Sequence, residues 1–252
     1  MVVRSADGAS DGRHGLAPDV ALIVTEHGDG CIVDLDGSFY AVSPVAAAML
    51  RDTLDGGRDA AVARSAARYG VDEARIADDL DALLKDLTAR GLLLRRRDGR
   101  RASGPQRIIA GALAGVAHRL LRLAATQRSR AWIALTFARL SFVISGWNAT
   151  VTAYRTRAGD TGAAPVPQAG ELVRAIDSAI RSAASRHPLN VDCKERALAS
   201  FALARYVGLP ATLVVGIGFY PLAGHSWCET GNAVIGDEST HCRRFTPAFR
   251  LS

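Results

Sequence analysis

Short apolar runs alternate with turn residues from position 20 to position 42, and helical apolar periods follow up to position 91. The runs at 20–25, 31–34 and 39–42 are separated by turns that contain Gly and Asp, which predicts a meander of three short strands. Ser43 and Pro44 then predict a helix start, because serine can cap a helix and proline fits its first turn. The chain is therefore expected to change from sheet to helix at Ser43.

Three helices and a final strand are predicted after Ser43. The helices end at Gly57, Gly70 and Gly91, and the third begins at Asp72. A last strand is predicted at 92–97, and three strands, three helices and a strand make a winged-helix-like arrangement. Apolar residues recur at three- and four-residue steps on the third helix, which predicts a buried face formed by Ile76, Leu80, Leu83, Leu84 and Leu87.

Composition divides the chain into four stretches. Residues 1–18 are polar and rich in Gly, Ser and Asp, which predicts a disordered tail, and residues 19–95 form the winged-helix-like domain. The segment RRRDGRR is followed by Ser, Gly and Pro, so residues 96–107 are predicted to be a linker. Residues 108–252 are predicted to form a second domain.

The second domain begins with helical patterns and ends with strands. The stretch 131–153 is apolar enough to suggest a membrane span, but an arginine near the middle of a span costs about 2.5–3.5 kcal/mol, and Arg139 lies there. A buried or partner-facing helix is therefore predicted, and membrane contact is not expected. Strands are predicted at 211–218, 225–229 and 233–237, after a helix that begins near Cys193.

Overall composition excludes several classes of protein. Apolar residues make up 48% and charged residues 22% of the chain, as in an ordinary globular protein, and the formal charge of +6 permits an anionic partner. The four cysteines form no CxxC pair, so neither a structural zinc site nor a disulfide framework is predicted. No apolar signal segment is visible, and the expected location is the cytoplasm. No cofactor is predicted.

Cys193, His225 and Asp237 occur in an order that suits a cysteine nucleophile. Asn190 or Asp192 would cap the helix that begins near Cys193, and the positive end of the helix dipole favours a thiolate there. His225 would accept or relay the thiol proton, and Asp237 would orient the imidazole. Each of the three residue types alone is more often structural, but the combination points to a catalytic site.

Strand alternation selects Cys193 over Cys228 as the nucleophile. His225 and Cys228 lie three residues apart on one predicted strand, so their side chains point to opposite faces. For Asp237 to reach the face of His225, the hairpin around residues 231–233 should have an odd-length loop with a bulge. A two-residue turn is predicted to place Asp237 on the wrong face.

The stretch 193–237 resembles the leader peptidases of lasso-peptide biosynthesis, the B proteins, which have a transglutaminase-like, papain-related cysteine protease fold. The shared pattern is present here as CKERALA, GLP, LVVGIG, FYPLAGHSWCE and GNAVIGD. Lys194 and Cys228 stand where that family commonly has aliphatic residues. Lys194 would add positive charge near the thiolate or point to solvent.

The N-terminal part resembles the peptide-recognition element of enzymes that modify ribosomally made peptides, which is itself similar to the small chaperone of pyrroloquinoline-quinone synthesis. The segments DGSFYAVSPVAAAML and DDLDALLKDLTARGLL carry this resemblance. Together the two resemblances imply an α+β chain, with an N-terminal winged-helix-like recognition domain and a C-terminal transglutaminase-like cysteine protease domain.

The resemblances imply that the protein binds a precursor peptide and cleaves it between leader and core. The thiolate of Cys193 would attack the scissile carbonyl, and the freed core amine would be joined to a side chain by a macrolactam-forming cyclase, through which ATP would be required. The leader would add as a strand to the small sheet and pack on the third helix. The implied leader-binding residues are Phe39, Tyr40, Ala41, Val42, Ile76, Leu80, Leu83 and Leu84.

Other functions are open at the level of sequence. A transglutaminase-like acyltransferase would use the same three residues, because forming an amide differs from hydrolysis only in the acceptor. A recognition protein with an inactive peptidase domain would not need the intact Cys, His and Asp. A winged-helix nucleic-acid binder is disfavoured, because the third helix would repel phosphate. Its acidic residues are Asp72, Glu73, Asp78, Asp79, Asp81 and Asp86.

Overall fold

The computed structural model describes residues 2–4, 14–17, 20–25, 28–35, 38–95, 104–158 and 168–252. The chain forms two compact units, Met1–Arg101 and Ala102–Ser252. Each unit contains both helices and an antiparallel sheet, which confirms the predicted α+β class.

A four-stranded antiparallel sheet forms one layer of the N-terminal unit. Its order is β1 (Val2–Arg4), β3 (Val20–Val24), β4 (Gly30–Asp34) and β5 (Ser38–Val42). The strand β2 (His14–Leu16) pairs instead with β6 (Leu93–Arg95), the predicted final strand. β5 pairs with β4 on one side, and no described strand pairs with its other side, so β5 is an edge strand.

Three helices complete the N-terminal unit: α1 (Pro44–Gly56), α2 (Arg58–Tyr69) and α3 (Glu73–Ala89). Ser43 Oγ accepts a hydrogen bond from the Ala46 N–H at 3.2 Å, and the Asp72 carboxylate accepts one from Ala74 at 3.1 Å, so both predicted caps form. The sheet and helices share one apolar core, which includes Leu22, Ile32, Leu50 and Leu80.

Two boundary predictions are wrong where the structure describes the chain. Residues 2–4 and 14–16 were assigned to a disordered tail, but they form β1 and β2. Strands of three residues leave almost no periodicity, and their partners are distant in sequence. The helix α4 (Gly104–Leu123) begins inside the predicted linker, so residues 104–107 are helical. Residues 96–103 of that linker lie outside the described residues.

The C-terminal unit packs helices against a second four-stranded antiparallel sheet. The helices after α4 are α5 (Gln127–Ala158), α6 (Ala169–Ala184), α7 (Cys193–Tyr206) and α8 (Ser239–Cys242). The sheet order is β10 (Thr246–Leu251), β7 (Thr212–Phe219), β8 (Leu222–Thr230) and β9 (Ala233–Ile235). Because α7 packs against α5, α6, β7 and β8, it joins the helical layer to the sheet.

The apolar stretch 131–153 lies within α5, which bends at Gly146. Arg139 Nη1 forms an ion pair with Oε1 of Glu195 on α7 at 3.0 Å, and the Glu195 side chain is fully buried. Ala131 and Leu135 on the same helix are also buried, so α5 packs inside its unit. No described helix is long and apolar enough to cross a membrane.

Candidate active site

Cys193 is the first residue of α7, directly after the N-cap residue Asp192. Glu195 Oε2 accepts a hydrogen bond from the Asp192 backbone N–H at 2.9 Å, while Oε1 receives the Arg139 guanidinium. This buried carboxylate therefore ties the first turn of α7 to α5 and fixes the backbone that carries the thiol. The helix dipole favours an anion at this position, and the thiolate is the nucleophilic form of cysteine.

His225 lies on β8 between Cys193 and Asp237. Its Nε2 atom is 2.8 Å from Asp237 Oδ2, and the ring also forms a hydrogen bond with the Cys193 thiol. An imidazole has two nitrogens, so Nδ1 is left for the thiol when Nε2 is held by the carboxylate. The structure thus brings together the three residues that the sequence analysis singled out.

The predicted shape of the β8–β9 hairpin is wrong. The strands are joined by a two-residue turn at Gly231 and Asn232, with Thr230 opposite Ala233 and no extra residue. If regular pairing continued, Asp237 would point away from the face of His225. The expectation that such a turn would exclude Asp237 from the site is wrong as well, because the regular strand ends before Asp237 is reached.

Gly236 brings Asp237 to the correct side. β9 ends one residue earlier, and Gly236 adopts φ +78°, a left-handed conformation that suits glycine and redirects the chain. A Cβ atom here would overlap Ser200 Oγ and lie 2.9 Å from Ile180 Cγ2. Backbone conformation and close packing therefore both require glycine before the aspartate.

The surroundings of the three residues favour a thiolate–imidazolium pair. Burial opposes ionisation of Cys193, but hydrogen bonds with His225 and the Ser226 backbone, with the charges of His225 and Arg196, lower its pKa below the usual value. Burial also opposes protonation of His225, yet hydrogen bonds with Asp237 and Cys193 raise its pKa to about 9. Against burial, the hydrogen bond from His225 keeps the pKa of Asp237 low. Both shifts therefore act in the direction of the charged pair.

Three further side chains line the site. Arg196 Nη2 lies 3.6 Å from Asp237 Oδ2. The Phe245 ring stacks on His225 with centroids 4.9 Å apart, and His241 meets the same ring edge-on at 4.7 Å. The three-residue spacing from Cys193 to Arg196 on one helix was visible in the sequence. His241 and Phe245 follow β9, where no pattern connected them to the site.

The other three cysteines lie in environments that keep their thiols neutral. Cys228 is fully buried on the opposite face of β8 from His225, and burial raises its pKa. Burial raises the pKa of Cys31, in the core of the N-terminal unit, to about 11. Burial and the charge of Asp237 raise the pKa of Cys242 to about 12. Among the four cysteines, only Cys193 has a lowered thiol pKa.

His225, Asp237 and Cys242 place three possible metal ligands within 4.8 Å of one another. In this arrangement His225 and Asp237 hydrogen-bond to each other, and Cys242 packs with Val214 and Trp227 in an apolar cluster. We therefore assign the first two to the Cys–His–Asp arrangement and Cys242 to packing behind it.

The residues expected to contact a leader divide into two groups. Phe39, Tyr40, Ala41 and Val42 all lie on the edge strand β5, and the Arg90 guanidinium at the end of α3 lies 5.7 Å from the Tyr40 ring. Leu83 on α3 is half-buried. The remaining three are buried in the core of the unit, so leader contact there stays a prediction that needs α3 to shift: Ile76, Leu80 and Leu84.

Comparison with known families agrees with the division into two units. Residues 23–93 match the family described as Coenzyme PQQ synthesis protein D (PqqD), and residues 131–250 match the Transglutaminase-like superfamily. No curated protein and no solved structure matches the chain. Each match falls within one compact unit. The chain therefore joins an N-terminal PqqD domain to a C-terminal transglutaminase-like domain.

Proposed function

We propose that the protein binds the leader of a ribosomally made precursor peptide through its PqqD domain and cleaves the leader–core junction with Cys193. The observation that carries this proposal is the hydrogen-bonded series Cys193–His225–Asp237, in which Cys193 is the first residue of α7. It combines a lowered thiol pKa with a raised imidazole pKa, which suits nucleophilic attack followed by proton donation. The PqqD domain supplies a peptide-binding unit on the same chain.

The leader docks along the outer side of β5. An edge strand has backbone N–H and C=O groups that an extended peptide can pair with, and these bonds fix the register. Tyr40 and Val42 pack against the core of the unit, while Ala41 is exposed. Side chains of the leader at alternate positions then reach the surface formed by Tyr40, Leu83 and the end of α3.

Cleavage follows the chemistry of a thiolate and an imidazolium. The Cys193 thiolate attacks the carbonyl carbon of the last leader residue, and the Cys193 backbone N–H, at the helix start, stabilises the oxyanion. The intermediate expels the core amine, which takes a proton from His225, and the leader remains as a thioester. His225 then takes a proton from water, the hydroxide attacks the thioester, and the leader carboxylate leaves. Asp237 keeps Nδ1 of His225 directed at the sulfur.

The proposed cleavage releases a core amine that a later step of biosynthesis would use. A macrolactam-forming cyclase that activates a core carboxylate with ATP would join this amine to a core Asp or Glu side chain and form a lasso peptide. The proposed partners are therefore the precursor peptide and that cyclase. Transfer of the acyl group to an amine is the second candidate, because hydrolysis and amide formation would both proceed from the proposed Cys193 thioester, and residues 131–250 match the Transglutaminase-like superfamily.

The test is to incubate the purified protein with the precursor peptide encoded beside its gene and to follow products by mass spectrometry. We expect one cut between leader and core, its loss in Cys193→Ala, and its retention in Cys228→Ala, which removes a buried thiol on the other face of β8. Adding a primary amine distinguishes the two candidates, because a transferase would yield a leader amide. Absence of both products, with ATP and the cyclase present, would refute the proposal.

A further inference from the structure

Two charged residues on α6 hold the backbone on both sides of the bend that carries Asp237. Asp177 Oδ1 accepts a hydrogen bond from the Gly236 N–H at 2.8 Å, and Arg181 Nη2 donates one to the carbonyl oxygen of Asp237. Arg181 Nε also lies 3.0 Å and 3.1 Å from the two oxygens of Asp177. Their four-residue spacing places both on one face of the helix, so they act on the bend as a unit.

The bend needs such support because it lies outside the regular sheet. β9 ends at Ile235, so no described ladder hydrogen bond fixes Gly236 or Asp237, and a left-handed glycine has wide conformational freedom. The Asp237 carboxylate itself is held by His225 and by the Glu238 N–H at 2.7 Å. A shift of the bend would therefore lengthen the 2.8 Å contact between Asp237 and His225.

We propose that Asp177 and Arg181 are positioning residues that set the distance from Asp237 to His225 and thereby the fraction of Cys193 present as thiolate. Without Asp177 and Arg181, the Asp237 carboxylate stabilises the His225 imidazolium less. The Cys193 thiolate, which this imidazolium stabilises, then forms only at higher pH. Neither residue touches the reacting atoms. The consequence for cleavage rests on the proposed function, but the state of the thiol does not.

The test measures alkylation of Cys193 by iodoacetamide between pH 4 and pH 9, with mass spectrometry to identify the modified cysteine. In Asp177→Ala and Arg181→Ala we expect the inflection to move up by about one pH unit and the rate at low pH to fall roughly tenfold. Arg181→Lys keeps the positive charge but loses the planar guanidinium that donates to two partners at once. Its alkylation profile should therefore have an inflection between those of wild type and Arg181→Ala. Arg174→Ala, an exposed arginine on the same helix, is the matched control and should not change the profile.

The outcomes separate this proposal from the proposed function. The positioning proposal would be overturned if both alanine variants showed the same pH profile of Cys193 alkylation as wild type. If the unfolding midpoint fell while that pH profile stayed unchanged, Asp177 and Arg181 would only stabilise the fold. If the profile moves but no precursor is cleaved by any sample, the positioning role stands and the proposed peptidase activity fails.

An independent observation concerns the outer surface of α4 and α5. The described residues 104–158 contain eight arginines and no Asp, Glu or Lys. Large apolar side chains are also exposed there: Ile108 is 74% exposed, Leu123 79% and Val143 66%. An exposed apolar patch marks a protein or membrane interaction site when its side chains are contiguous. The other exposed aliphatic side chains of these helices are Ile109, Val116, Leu140 and Ile144. The exposed arginines of α4 and of the first turn of α5 are Arg107, Arg119, Arg122 and Arg128.

The antiparallel arrangement of α4 and α5 places these exposed apolar side chains close together. Only residues 124–126 join α4 to α5, and the helices pack along each other, so they run antiparallel and positions equally far from the turn lie level. Ile108 is therefore level with Val143. Residues 109, 116 and 123 recur every seven positions, which keeps them on one face of α4.

We propose that this α4–α5 face binds an anionic lipid surface, a contact that the sequence pattern of residues 131–153 did not predict. The absence of carboxylates over 55 residues leaves nothing on these helices to repel lipid phosphates, and exposed arginines attract them. Aliphatic side chains can insert at the boundary between headgroups and acyl chains without spanning the bilayer, which needs no directional partner. An acidic protein surface would also attract these arginines. Such a partner would in addition need an apolar pocket shaped to fit the protruding Ile and Val side chains, which a lipid surface does not need.

The test is co-sedimentation of the full chain with vesicles of phosphatidylcholine alone and with about 30% phosphatidylglycerol, at low and at high salt. Binding should require the anionic lipid, weaken with salt, and fall at least tenfold in the double variant Ile108→Glu with Val143→Glu. Leu189→Glu, a single change of the same kind at an exposed leucine outside these helices, should bind as wild type. Absence of wild-type binding, equal binding by the double variant, or self-association through this face instead would overturn the proposal.

Discussion

Replacement of Gly236 by alanine should separate the stability of the C-terminal unit from the arrangement of its active site. An alanine at φ +78° costs about 1–2 kcal/mol in backbone strain. Its Cβ would overlap Ser200 Oγ and approach Ile180 Cγ2 to 2.9 Å, and such overpacking costs about 1–3 kcal/mol more. The free energy of unfolding should therefore fall by about 2–5 kcal/mol, as the sum of these two costs.

The same change should also reduce the proposed cleavage: Ser200 and Ile180 are fully buried, so we expect the bend to move in relieving the overlap and to displace Asp237. A displacement of about 1 Å in a catalytic arrangement costs on the order of a hundredfold in rate. Gly231→Ala is the matched control: it also has positive φ, at +55°, but its Cβ would meet nothing within 4 Å. It should lose only the backbone cost, about 1–2 kcal/mol, and keep its kcat.

Denaturant unfolding followed by tryptophan fluorescence suits this comparison. All three tryptophans, Trp132, Trp147 and Trp227, lie in the C-terminal unit, so the signal reports that unit and not the PqqD domain. The proposed cleavage of a precursor peptide is the assay for kcat. Equal losses of stability and of kcat in the two alanine variants would refute the reasoning, because the packing around Gly236 would then have no effect of its own.

Three further predictions concern the same unit. The pH dependence of kcat/KM should be bell-shaped: activity rises as the thiolate of Cys193 forms and falls as His225 loses its proton near pH 9, and a rate that keeps rising beyond pH 10 would contradict the raised pKa. Asp237→Asn should lower kcat by about 10³- to 10⁴-fold with little change in unfolding midpoint, and a loss below tenfold would argue against its role. Glu195→Ala should cost about 3–5 kcal/mol in unfolding free energy, because it leaves the partly buried Arg139 without its partner, whereas changing both to apolar residues should cost less.

The N-terminal unit shows which parts of a fold can be predicted from residues that are close together in the sequence. Ser43 and Asp72 cap helices as predicted, because an N-cap depends on residues within three positions. β1 and β2 were missed, because three-residue strands exist only through partners elsewhere in the chain. Leu80 was correctly placed on the apolar face of α3, but periodicity cannot distinguish a face that meets the core from one that meets a peptide.

The C-terminal unit shows the same limit at the level of single side chains. Helix dipole, alternation and order along the chain were enough to choose Cys193 over Cys228 and to pair it with His225. The route by which Asp237 arrives was not predictable from alternation, which holds only while the strand continues. A glycine directly before the aspartate, at the end of an apolar run, was the visible sign that it does not. A glycine at the end of a strand can redirect the backbone, so the side chain of the next residue can lie on the other face of the sheet. Strand register alone therefore does not exclude that next residue from a site.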